Sequence, residues 1–181
     1  MRNVKNCKRE IKLTRNETCG VTYMKQLLCN LGQKLGFYVD IEEKPESELG
    51  ALGIRHDVLW YVDPPNWYRK LLEIVSQRKD LEPEYLELIN ERKKLDRFLQ
   101  VAFEIEATDL TTKAMKGDIS NLSKLPYGII VVKRGKEDKN VEPIRHRFEK
   151  ALLEFRKLHG PNNVLIVSFE DIEKLSEAMN S

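Results

Sequence analysis

A single α/β domain, with helices packed on a mixed β-sheet, is the fold class predicted by three observations. Helical and extended stretches alternate along the 181 residues. The run YGIIVVK is almost continuously apolar, as expected of a strand covered on both faces. Neither an internal repeat nor a low-complexity segment interrupts the pattern. With 41% hydrophobic and 33% charged residues the chain suits one globular domain. The expected domain spans residues 1–181, with a basic N-terminal arm at 1–15 and a helical insertion at about 64–98.

The elements follow in order. Val21, Met24, Leu27, Leu28, Leu31 and Leu35 recur at helical spacing, and Gly36 ends that helix before the extended FYVDIEE. The turn-rich KPESELGALG leads into a second strand, IRHDVLWYV, closed by Asp63-Pro64-Pro65. Two inserted helices come next. Trp67, Tyr68, Leu71, Leu72 and Val75 stripe the first; Tyr85, Leu88, Ile89 and Leu95 stripe the second, with Pro83 suited to its opening turn. LQVAFEIEA is the third strand. Thr108 or Asp109 is the expected cap of a helix running toward Leu125 and stopped by Pro126. YGIIVVK forms the fourth strand. Val141, Ile144, Phe148, Leu152, Phe155 and Leu158 mark a long amphipathic helix that closes at His159-Gly160-Pro161. NVLIVSF and EDIEKLSEAM supply a fifth strand and a last helix.

Charge and cysteine usage exclude several classes. A formal net charge of +2 rules out a polycation, so any nucleic-acid footprint has to be local. The arm MRNVKNCKREIKLTR is such a cluster, with six Lys or Arg against Glu10 alone. A solvated terminus is the plain alternative for it. Cys7, Cys19 and Cys29 are odd in number and lack CxxC spacing, so free thiols in a reducing compartment are expected rather than disulfides or zinc. No apolar run approaches the roughly 18 residues of a membrane span, and the start lacks a signal-peptide h-region. The expectation is a cytoplasmic or otherwise intracellular protein without membrane partners or an organic cofactor.

The third strand carries the chemistry. Side chains alternate along a strand, so Ala102, Glu104 and Glu106 share one face, the two carboxylates ~7 Å apart. Asp57 lies among Ile54, Val58, Leu59 and Trp60, a third acid in an apolar setting. A carboxylate removed from water is costly unless paired. A divalent cation is the natural compensation, because Mg²⁺ takes carboxylate oxygens and keeps positions open for water and phosphate. Other residues have simpler readings. His56 alternates away from Asp57 and suits a packed histidine; His146 and His159 lack ligand spacing. Trp67 and Tyr68 suit helix packing, and Ser120 and the cysteines have no adjacent base.

Taken together, a helix, a strand, RHDVLW, VAFEIE, a further helix and YGIIVV resemble the PD-(D/E)XK nuclease superfamily over residues 17–134. The resemblance implies a restriction-endonuclease-like core of αβββαβ order, with additional α, β and α elements. It also implies Mg²⁺-dependent hydrolysis of phosphodiester bonds in DNA by a restriction-type or repair-type endonuclease, Mn²⁺ substituting for Mg²⁺. Asp57 matches the superfamily Asp and Glu104 the acid of its acid-x-Lys triplet, with the Ile105 carbonyl and Glu17 as further metal ligands. Glu106 stands where Lys is usual. Some members have Glu there, which makes Glu106 a general base or a ligand to a second ion. Lys113 and Lys116 on the following helix are candidates to supply the missing cation. Lys133, Arg134 and Lys136, with the N-terminal arm, are candidate phosphate contacts. The inserted helices, with acids and bases in balance, suit a dimer contact or a lid better than a phosphate track, and the resemblance makes a homodimer the expectation. The alternative is a nuclease-fold module that binds nucleic acid or a protein without cutting.

Overall fold

A computed structural model describes residues 19–41, 56–107, 111–133 and 143–179. Apolar periodicity resolves there into α1 (Cys19–Lys34), β1 (Tyr38–Ile41), β2 (Val58–Val62), α2 (Asn66–Ser76), α3 (Pro83–Lys94), β3 (Phe98–Glu106), α4 (Thr112–Leu122), β4 (Tyr127–Val132), α5 (Ile144–His159), β5 (Val164–Ser168) and α6 (Phe169–Ala178). The expected α/β class holds. Five strands form one open mixed sheet in the order β1-β2-β3-β4-β5. β1, β2 and β3 pair antiparallel; β3, β4 and β5 pair parallel. The switch follows from the connections, since parallel neighbours need a crossover and α4 and α5 supply the two.

The period of two sorts the strand residues into layers. Val58, Trp60, Phe103, Ile105 and Val131 pack with Met24, Leu28 and Leu31 of α1 and with Phe169 and Ile172 of α6. On the opposite face Leu59, Tyr61, Ala102, Ile130 and Val132 pack with Met115, Ile119 and Leu122 of α4 and with Phe148 and Ala151 of α5. Gly128 makes the second layer close: a Cβ there would stand 2.6 Å from Leu122 Cβ and 3.0 Å from the Leu122 carbonyl oxygen. The insertion stands apart from both layers. α2 and α3 pack chiefly on each other, burying Leu72 and Ile89. They are tied to the sheet by Tyr68, whose ring sits edge-on to Phe98 at 5.1 Å.

Two boundaries differ from expectation. β2 begins at Val58, so His56 and Asp57 precede the strand instead of lying within it. Asp57 N–H still donates to Phe103 O, but the following rung is made by the Asp57 side chain rather than by main chain. α4 starts at Thr112 and is capped by Thr111, whose hydroxyl accepts from Ala114 N–H at 3.3 Å. Thr108 and Asp109, the expected caps, lie outside the described residues. α6 carries a capping box that periodicity did not mark: Ser168 Oγ accepts from Asp171 N–H while the Asp171 carboxylate accepts from Ser168 N–H.

Candidate functional site

Toward its C-terminal end, the α4-facing side of β3 changes character. Ala102 is enclosed, and then come Glu104 and Glu106, paired in register with Ile130 and Val132 of β4. Antiparallel pairing of Val58 with Phe103 brings Asp57 alongside this segment. Asp57 Oδ2 accepts from Ile105 N–H at 2.7 Å, and Asp57 Oδ1 lies 3.1 Å from Lys25 Nζ. Lys25 reaches it from α1 and is only 2% exposed. Buried His56 places Nδ1 2.6 Å from Glu104 Oε1. α4 adds Asp118, whose Oδ2 is buried with no hydrogen-bond partner among the described residues.

Glu104, Glu106 and Asp118 share a poorly hydrated space and are held toward the protonated form. Burial raises Glu104 to about 7; the His56 hydrogen bond opposes the rise, and Asp57 and Asp118 add to it. Glu106 rises to about 8, from burial first and then from the charges of Asp118, Glu104 and Asp57. Asp118 rises to about 6 through burial and Asp57, with His56 opposing. A cation entering this space would favour the charged form of these carboxyls, which burial and mutual repulsion disfavour.

The donor chemistry fits a hard divalent ion, since the oxygens of Glu104, Glu106 and Asp118 are of the kind Mg²⁺ and Mn²⁺ accept. The spacing is not preformed. Among the described residues no three such side chains converge as a ready ion cluster. Asp57 spends both oxygens on Lys25 and Ile105, and Glu104 spends one on His56.

Sequence-predicted residues therefore divide. Asp57, Glu104 and Glu106 come together at the junction of β2 and β3. Ile105 contributes its amide to Asp57 and turns its side chain into the α1–α6 layer. Lys113 is exposed in the first turn of α4, and Lys116 is exposed with its ammonium 2.9 Å from Glu154 of α5. α4 thus presents Asp118, not a lysine, to the acids. Glu17, the arm 1–15, Arg134 and Lys136 lie outside the described residues. His56, expected on the opposite face, meets Glu104 because the regular pleat begins only at Val58.

Lys25 and Asp118 were missed, although each leaves a signal. Lys25 lies four residues after Val21 and three before Leu28, on the apolar stripe of α1. Asp118 lies three residues after Met115 and four before Leu122, on the apolar stripe of α4. A charged residue inside an apolar stripe implies a buried partner. Comparisons with protein-family models, with curated proteins and with solved structures each found no match.

Proposed function

We propose that the protein is a Mg²⁺-dependent endonuclease that hydrolyses phosphodiester bonds in DNA, centred on Asp57, Glu104 and Glu106. The observation that carries this reading is the placement of an acid at the head of β2 alongside a β3 segment with two acids on one face, beside a buried lysine. The element order supports it: α1, β1, β2, β3, α4 and β4 follow the αβββαβ pattern once α2 and α3 are read as an insertion. In this reading Glu104, Glu106 and Asp57 hold the ion, with Asp118 as an additional oxygen donor. When bound, the ion would acidify a coordinated water and polarise the phosphate.

The chain's own residues do the rest. The Ile105 amide fixes the Asp57 carboxylate, and His56 orients Glu104. Lys25 supplies from α1 the positive charge that Glu106 removes from the strand. Glu106 stands where the superfamily usually has Lys, and in this reading it is a metal ligand or the general base for the attacking water. A homodimer acting on duplex DNA belongs to the same reading.

A second reading, a binding module of the same architecture that does not cut, is favoured by one observation. Both residues matched to superfamily ligands are already engaged by protein groups. Cleavage assays with Mg²⁺ and Mn²⁺ on plasmid, single-stranded DNA and RNA separate the two. The endonuclease reading expects metal-dependent DNA cutting that is lost in Asp57→Ala and in Glu104→Ala; cutting unchanged in both variants would refute the site. In the same assay Glu106→Lys keeps activity if position 106 serves the usual lysine role, and abolishes it if Glu106 is ligand or base.

A further inference from the structure

We propose that the α2–α3 insertion is a self-association surface, with α2 packing antiparallel against α2 of a second copy of this chain. It gives the homodimer of the proposed reading an interface, and the observations that carry it lie on the insertion.

An apolar stripe on α2 points away from the protein. Trp67, Leu71 and Ile74, spaced four and three residues apart, lie on one helical face and are 67%, 47% and 57% exposed. Leu72, on the other side of the helix, is the residue that α2 buries. Tyr85 of α3, on the other helix of the insertion, is also 49% exposed. Solvated apolar residues scattered singly are ordinary, but three large ones along one helix face, a Trp among them, have the make-up of an interface centre.

The charges beside the stripe select the partner. Lys70 and Glu73 are exposed, one turn apart, on the same flank of the stripe. When two such helices run antiparallel about a two-fold axis, like flanks meet. Lys70 of one copy then faces Glu73 of the other, and the pairing occurs twice. An isologous contact requires this kind of self-complementarity. A phosphate track would instead repel Glu73, and a foreign partner would have no reason to match this pattern. α2 is only ~16 Å long, so the contact falls at the small end of specific interfaces and predicts a weak dimer, micromolar in dissociation constant.

Sedimentation equilibrium on the full chain, from about 1 μM to about 200 μM, tests this. The expected result is a monomer–dimer equilibrium within that range. Leu71→Glu and Ile74→Glu should each leave a monomer with unaltered circular dichroism, because neither side chain is buried in the fold. Lys70→Glu and Glu73→Lys should each weaken the dimer about tenfold, and the double exchange should restore it. A monomer throughout the range would overturn the proposal. So would a dimer that survives Leu71→Glu, or a double exchange that fails to restore association.

Discussion

Lys25 is enclosed by the α1–β2–β3 packing, yet its ammonium is held by a carboxylate that is itself partly open to solvent. Removing one member of such a pair costs more than the pair contributes, because the survivor stays desolvated without its counter-ion. Lys25→Met is therefore expected to destabilise the fold by about 3–5 kcal/mol in urea unfolding at neutral pH, with Asp57→Asn in the same chain recovering part of the loss. A double variant that costs the sum of the two single ones would show that the two side chains do not interact. The same residue marks how far single positions were legible. Asp57, Glu104 and Glu106 stood out as acids among Val, Leu, Phe and Ile. Lys25 and Asp118 interrupt apolar stripes just as plainly, but a stripe names only the burial of a residue, whereas its partner is set by tertiary packing.

At the scale of elements, α4 is the piece that couples fold to site. It carries Asp118 to the acids while Met115, Ile119 and Leu122 seat it on the sheet, and its C-terminal turn rests directly on Gly128. A methyl group at Gly128 cannot be accommodated without moving Leu122, whose backbone is also in contact. Gly128→Ala should lower stability by about 1–3 kcal/mol, and it should shift amide NMR signals along α4 as far as Asp118. Unchanged signals beyond Leu122 would mean that the helix absorbs the methyl locally. Elements of this kind were legible because apolar spacing states both period and length. Their ends were less so. TDLTT offers several side chains able to cap, and the Thr111 cap depends on which N–H the helix presents first. β2 begins late because a side-chain oxygen takes over a rung of the ladder, which no periodicity records.

For the whole molecule the crowded carboxylates set a pH dependence. The unfolded chain releases these protons in the ordinary range near 4.5 and, for Asp118, near 3.8, whereas the folded protein holds them to about 7 for Glu104, about 8 for Glu106 and about 6 for Asp118. Between those limits the native state binds more protons than the unfolded one, so stability falls as pH rises and levels off above about 8. Thermal melts in a chelator should show this decline, and Glu104→Gln with Glu106→Gln should flatten it. A melting temperature that rises from pH 5 to pH 8 would contradict the shared burial of the acids. What the sequence conveyed at this scale was a mixed sheet carrying acids on one strand. It did not convey that α1 and α4 would deliver a cation and a fourth acid from opposite faces of the sheet, since those contacts join segments far apart in the chain.

The bond from Ile105 N–H to the Asp57 carboxylate makes the site a proofreading device for strand pairing. If β2 slipped by one residue against β3, that amide would lose its acceptor and Glu104 would no longer lie beside Asp57. A misregistered sheet could still bury most of its valines and leucines, but it would contain no assembled acid centre. Completing the sheet correctly and bringing these acids side by side are thus one event, and a partly folded or misaligned chain would lack their assembly.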